Sequence, residues 1–192
     1  TEVADVVNPA TGETWMDRNL GASRTARSST DSRAYGHLYQ WGRLADGHEK
    51  RTSLTRSTRS SSDQPDHGDF ITTSSGPYDW RSPQNNNLWQ GVDGTNNPCP
   101  VGYRLPTEAE WESERGSWGS GNSAGAYGSP LKLPVAGYRF GVDGSLSNVG
   151  SNGNYWSSSV DGTRARALTF NSSNAIMLSY YRAYGFSVRC LK

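Results

Sequence analysis

Three histidines, two cysteines and several aspartates beside glycines are the residues of this 192-residue chain best suited to chemistry. His37, His48 and His67 show neither HxxxH nor HxH spacing and have no cysteine near them. They read as ordinary loop or helix histidines rather than as metal ligands or bases. Cys99 and Cys190 are too few and too far apart for a zinc site. Either they form a disulfide, closing a loop of roughly ninety residues worth on the order of 4 kcal/mol, or they are two buried thiols of a reducing cell. DHGD, VDGT and VDGS put carboxylates on tight turns that suit a hard cation, but no EF-hand spacing is present and turn formation explains them. GSGNSAG at 119–125 lacks the Lys-Ser/Thr end of a phosphate loop and reads as a flexible turn. Serines abound without a GxSxG elbow. No catalytic residue, metal ligand or cofactor is expected.

The composition sets the frame for any site. A net charge of +1 and a pI near 7.7 create no field that would gather nucleic acid or an anionic membrane. Hydrophobic residues make up only 33%, but 22 Gly, 7 Trp and 10 Tyr point to a turn-rich fold with a core built on aromatic anchors. The length suits one domain over 1–192. No apolar run is long enough to span a bilayer, and the first residues are not a signal sequence, so the chain is read as cytosolic or as having lost a leader.

Local patterns then place the elements. TGETWMDRNLG (11–21) predicts a turn and a short strand with Trp15 inward. Tyr35, Leu38 and Tyr39 at helical spacing after Thr30 or Asp31 predict a first helix near 31–43. From about 44 to 100 the pattern dissolves into a loop-rich insertion anchored by Trp80 and Trp89, and its basic run, Lys50, Arg51, Arg56 and Arg59, has no interleaved aromatics and reads as solvated loop. RLPTEAEWESE (104–114) carries a capping box, Thr107 with Glu110, and predicts a second helix over 107–115. Strands are expected at 131–134, 137–140, 154–158, 164–170 and 186–190. The fold class is α+β, with two helices, a small antiparallel sheet and long irregular loops.

NPCPVGYRLPTEAEWE (97–112), LKLPVAGYRF (131–140), DGSLSNVGSNGNYWSSS (143–159) and GFSVRC (185–190), with ATGETWMDRNLGA near the start, resemble the Fibrobacter succinogenes major paralogous domain. That group is related to the formylglycine-generating-enzyme branch of the C-type-lectin fold. The resemblance implies a C-type-lectin fold, with Cys99 and Cys190 at the positions the family fills with a structural pair. The EPN and QPD motifs of calcium-dependent sugar binding are absent, and Ser157 and Ser158 replace the ligating pair of those lectins. Within the fold, the chain looks most similar to the variable proteins of diversity-generating retroelements. In those proteins AAY codons near the 3′ end of the gene are rewritten, so side chains on the binding face differ between copies.

If Leu168, Phe170, Met177, Phe186 and Val188 are scaffold, then Arg164, Ala167, Thr169, Ile176, Leu178, Ser179, Tyr180, Tyr181 and Tyr184, in a variable region about 152–190, all hold residues reachable from AAY. Alternation would turn Ala167, Thr169, Ile176 and Leu178 outward and Ala175 and Met177 inward. The three tyrosines offer large, rigid, amphipathic contact area, and their joint replacement by Ala is expected to abolish binding with little loss of stability. Gly153, Gly162 and Gly185 would let the backbone turn while side chains change. The expected protein is a hypervariable binder, on a bacterial surface, secreted or phage-borne, of an unknown protein or glycan ligand on another cell or surface, with no nucleic-acid partner and no membrane insertion. A formylglycine-generating-type enzyme and a fixed-ligand surface adhesion module are the alternatives.

Overall fold

The helix that the capping box predicts begins at that box. In the computed structural model, which describes residues 3–192, helix α1 spans Glu108–Gly116. Thr107 Oγ1 accepts from the Glu110 amide at 3.3 Å, and Glu110 Oε2 accepts from the Thr107 amide at 2.6 Å. Two otherwise orphaned donors of the first turn are thereby satisfied. The helix buries Trp111, whose indole donates to the Trp156 carbonyl at 3.0 Å.

The chain is α+β. Its described strands are β1 (Asp5–Val7), β2 (Thr14–Met16), β3 (Tyr39–Gln40), β4 (Thr55–Arg56), β5 (Phe70–Ile71), β6 (Tyr138–Arg139), β7 (Leu146–Ser147), β8 (Gly153–Asp161), β9 (Arg164–Phe170), β10 (Ala175–Tyr181) and β11 (Gly185–Phe186). A second helix, α2, spans Ser123–Gly128. The three longest strands form an antiparallel sheet in the order β10-β9-β8. A four-stranded sheet runs β3-β11-β6-β7, β1 pairs with β2, and β4 pairs with β5 in parallel.

Apolar clusters cover both sides of the three-stranded sheet. On one side Tyr155, Leu168, Phe170, Ala175 and Met177 pack with Trp15, Trp111 and Leu131. On the other, Trp156, Ala165 and Ala167 pack with Tyr39, Trp41, Phe186 and Val188. Leu168, Phe170, Met177, Phe186 and Val188, supposed from the sequence to be scaffold, are all buried. Aromatic rings supply most of the large buried side chains, which follows from a sequence poor in aliphatics.

The predicted helix over 31–43 does not form. Asp31 caps only a 3-10 turn, Ser32–Ala34. Gly36 then takes φ +66°, and a Cβ there would lie 2.3 Å from the Leu20 carbonyl, so the chain turns out of the helix and reaches β3. Tyr35, Leu38 and Tyr39 are buried nonetheless. Segment 119–125 is not a flexible turn but leads into α2, with Asn122 accepting from the amides of Ala124 and Gly125. Residues 131–134 form no strand; side chains take their carbonyls, Arg189 that of Leu131 at 2.7 Å and Tyr155 that of Pro134 at 2.9 Å. The last predicted strand shrinks to β11 followed by isolated bridges at Ser187 and Leu191.

The stretch from 44 to 100 holds no helix, and its indoles tie it down. Trp80 donates to the Trp41 carbonyl at 2.7 Å and Trp89 to the Asn96 carbonyl at 2.9 Å, while Asn96 donates to Gly42 at 2.8 Å. Cys99 and Cys190 form a disulfide with a Cα separation of 5.9 Å. Gly153 and Gly185 serve close packing rather than turning: a Cβ on Gly153 would stand 2.1 Å from the Phe170 ring. Only Gly162, at φ +56°, turns the chain.

Candidate ligand-binding face

Strand register decides which side chains of β10 act together. Ile176, Leu178 and Tyr180 lie opposite Thr169, Ala167 and Ala165 of β9, and Asn154 and Trp156 of β8 continue the first two rows. These residues therefore share one side of the sheet. Deep on that side Trp156 stacks on Phe186 at 4.4 Å. At the β10 edge the same side is open, leaving Ile176 45% and Leu178 39% exposed, whereas Ala175 and Met177 point to the opposite side and are buried.

Tyr180 closes part of that opening. Its ring meets Phe186 edge-on at 4.9 Å, and its hydroxyl accepts from Thr169 Oγ1 at 3.3 Å. Thr169 lies four residues along β9 from Ala165, the cross-strand partner of Tyr180, so the ring must lean across the Ala167 row. Ala167 and Thr169, expected to point outward as ligand contacts, are for this reason buried. Alternation did put them on the same side of the sheet as Ile176 and Leu178; the tyrosine then covered them.

Tyr184 extends the strip toward β6. Its ring centroid is 5.9 Å from Tyr180, 5.9 Å from Tyr138, 5.3 Å from Phe140 and 5.7 Å from Phe186. Burial in this nest, followed by the neighbouring phenols, pushes the Tyr184 hydroxyl pKa up. Tyr138 and Phe140 lie outside the segment the sequence reading assigned to the ligand. Their spacing of two in GYRF was a legible sign that both face one way.

The remaining predicted positions sit on the other side of the sheet. Tyr181 lies opposite Arg164, and Ser179 opposite Arg166. The Arg164 guanidinium stands 4.4 Å from the Tyr181 ring and donates to its hydroxyl at 2.9 Å, while Tyr78 of the insertion packs on the same ring at 4.6 Å. Ser179 donates to Asp161 and accepts from Arg166 Nη1 at 2.9 Å. Arg166 reaches Glu108, the first residue of α1, at 2.8 Å. The nine predicted residues thus separate into a strip of Ile176, Leu178, Tyr180 and Tyr184, a flank of Arg164, Ser179 and Tyr181, and the two covered positions.

No family model, curated protein or solved structure matches the chain. The site has to be read from its own geometry.

Asp46, His48 and Glu49 bring three potential ligand atoms within 4.8 Å of one another, and the tautomer of His48 decides what they do. Its Nε2 accepts from the Gln40 amide at 3.0 Å, so the ring proton is on Nδ1, which donates to Asp46 at 2.6 Å. A cation at Nδ1 would have to displace that proton while Nε2 kept its acceptor role, which a neutral imidazole does not allow. Asp46 is further held by Arg43 at 2.6 Å. The cluster is a buried polar network under β3, where Gln40 also donates to the Ala183 carbonyl at 2.8 Å, beside Tyr184.

His48 is fully buried, and burial first, then the Arg43 charge, outweigh Asp46 and bring its pKa down to about 4. Above pH 6.5 the imidazole is neutral in the folded and the unfolded chain, and the whole contribution is present. Between pH 6.5 and about 4 only the unfolded chain takes up the proton, so stability falls with falling pH, by about 3 kcal/mol in all. Urea midpoints measured from pH 7 to 4.5 should show this decline. A His48→Gln protein, less stable at pH 7, should lack the part between pH 6.5 and 5.

Proposed function

We propose that the chain is a ligand-binding protein of the C-type-lectin fold, one of the variable proteins diversified by a retroelement. In this reading Ile176, Leu178, Tyr180 and Tyr184, joined by Tyr138 and Phe140, grip a protein or glycan on another cell or surface. The observation that carries it is the outward strip itself: two aliphatic side chains lie exposed along an edge strand, continuous with half-buried tyrosines whose inner edges rest on buried Phe186. Exposed apolar side chains in a row, backed by a rigid aromatic floor, suit recognition rather than packing. The sheet beneath is packed on both sides, so side chains at the edge can change without moving the backbone.

Both cysteines of the chain are bonded to each other, which leaves no thiol for cysteine chemistry of the formylglycine-generating kind. No described helix is long and apolar enough to cross a membrane, and a disulfide is compatible with an extracellular setting. On this reading the protein acts at a bacterial surface, secreted or carried by phage.

Deep sequencing of the 3′ end of the gene in a population of source cells tests the proposal. Copies should differ at codons 164, 176, 178 to 181 and 184, and a near-identical template repeat should lie nearby. At 167 and 169, which Tyr180 covers, only small residues should recur among folded copies. An invariant 3′ end would overturn diversification and leave a surface module with a fixed ligand.

A further inference from the structure

Beside the tyrosine strip lies a polar cavity of about 380 Å³, lined by Ser57, Arg59, Thr72, Thr73, Ser74, Ser75 and Val142. Arg59 is the only charged group in that wall. Its Nε and Nη2 are spent on Thr73 Oγ1, at 3.2 and 2.6 Å, and Nη2 also meets the Ser75 hydroxyl at 3.1 Å. These contacts, with one to the Ser75 carbonyl and one to Gly76 at 3.2 Å, fix the guanidinium plane. Nη1 donates to no described residue, and no carboxylate lies within ion-pair distance of Arg59 among the described residues. The hydroxyls of Ser57 and Ser74 likewise have no described partner.

We propose that this cavity is an oxyanion site, which takes a carboxylate or sulfate group on Arg59 Nη1 and the hydroxyls of Ser57, Ser74 and Ser75. A guanidinium oriented by neutral acceptors, whose charge acts on Asp79 without forming an ion pair, is available to an anion. The Thr72 and Thr73 hydroxyls already donate to the Arg56 and Ser75 carbonyls, so the donors left to complete the shell of an oxyanion are the hydroxyls of Ser57, Ser74 and Ser75. A second cleft of similar size is also lined by Arg59 but includes Asp66, and its Arg56 is paired with Asp69 at 3.1 Å. The anion is therefore directed to the side without carboxylates.

The cavity adjoins the ligand strip. Val142 follows Gly141, whose carbonyl accepts from the Thr73 amide at 2.9 Å, and a Cβ on Gly141 would stand 2.9 Å from the backbone of Ala183, the residue before Tyr184. One ligand can span both places, and only this last assignment, of the anion to the ligand of the tyrosine strip, rests on the function proposed above. The class of ligand it names is an acidic one, such as a glycan bearing uronate or sulfate.

Titration of the isotopically labelled protein with sodium sulfate, sodium glucuronate and glucose, at constant ionic strength, tests the site by amide shifts at residues 57 and 72 to 75. Sulfate or glucuronate should bind saturably with Kd on the order of 1 to 10 mM, and glucose should not bind. Tighter glucuronate identifies a sugar acid as the source, and tighter sulfate a sulfated group or the free ion. Arg59→Gln should weaken binding by roughly tenfold or more, and Ser74→Glu, at an exposed position that carries no packing, should do the same. Tyr184→Ala should leave anion binding intact, so that failure of the tyrosine strip and failure of this cavity are told apart. No saturation up to about 100 mM, or unchanged binding in both Arg59→Gln and Ser74→Glu, would overturn the proposal.

Discussion

The double substitution Ile176→Asp, Leu178→Asp is expected to weaken binding to a partner selected against the unaltered protein by about 100-fold or more, and to shift the melting temperature by no more than about 3 °C. Central apolar contacts of an interface cost about 2 kcal/mol or more each on removal, and an aspartate placed there adds the loss of its own hydration. In the free protein both side chains already face water across the β10 edge, where substitutions usually change stability by less than about 0.5 kcal/mol each. Binding by surface plasmon resonance and melting by circular dichroism would be read on the same samples. Affinity retained within about threefold would remove the strip from the interface.

The tyrosines give a less clean experiment than their sequence position suggests. Tyr180 and Tyr184 rest on Phe186, and Tyr181 on Tyr78. Joint replacement of the three by Ala leaves partial cavities beside buried rings, and each half-buried ring should cost about 2 kcal/mol. Lost binding in that variant would mix recognition with folding. The aliphatic pair separates them.

Removal of the disulfide is the largest effect on stability expected from the loss of a single bond. The 91-residue separation of Cys99 and Cys190 predicts a loss of about 4 to 5 kcal/mol on reduction, a large share of the roughly 5 to 15 kcal/mol that holds a domain folded. The bond joins two segments that are already neighbours, since Arg104 and Leu191 exchange backbone hydrogen bonds at 2.8 and 2.9 Å and the Cys190 carbonyl accepts from Met16 at 2.9 Å. The native state therefore needs no rearrangement to accept it, and the effect acts through the unfolded chain. Urea unfolding of oxidised protein, thiol-reduced protein and a Cys99→Ala, Cys190→Ala variant measures it. A midpoint unchanged by reduction would mean that the local ladder alone sets the stability of this end of the chain.

What could be read from the sequence was contiguous information. The start of α1 followed from Thr107 and Glu110, three residues apart, and β9 from the alternation of Arg164 to Phe170. The same period of two separated Ile176 and Leu178 from Ala175 and Met177. Where a local pattern competed with a distant contact, the reading failed. Tyr35, Leu38 and Tyr39 have helical spacing, but the Leu20 carbonyl crowds Gly36 and the strand partner of Tyr39 is Phe186, far along the chain.

The chain by itself determined the α+β class, the positions of its most regular elements and the outward alternation along the final hairpin, because each depends on propensity and period within a few neighbouring residues. Tertiary structure alone decided that Tyr180 covers Ala167 and Thr169, that Tyr138 and Phe140 complete the strip, and that His48 is locked as a hydrogen-bond acceptor under β3. Those outcomes depend on which of two sheet sides meets which distant segment. Side-chain alternation fixes that a residue points up or down, but burial is set by what arrives there.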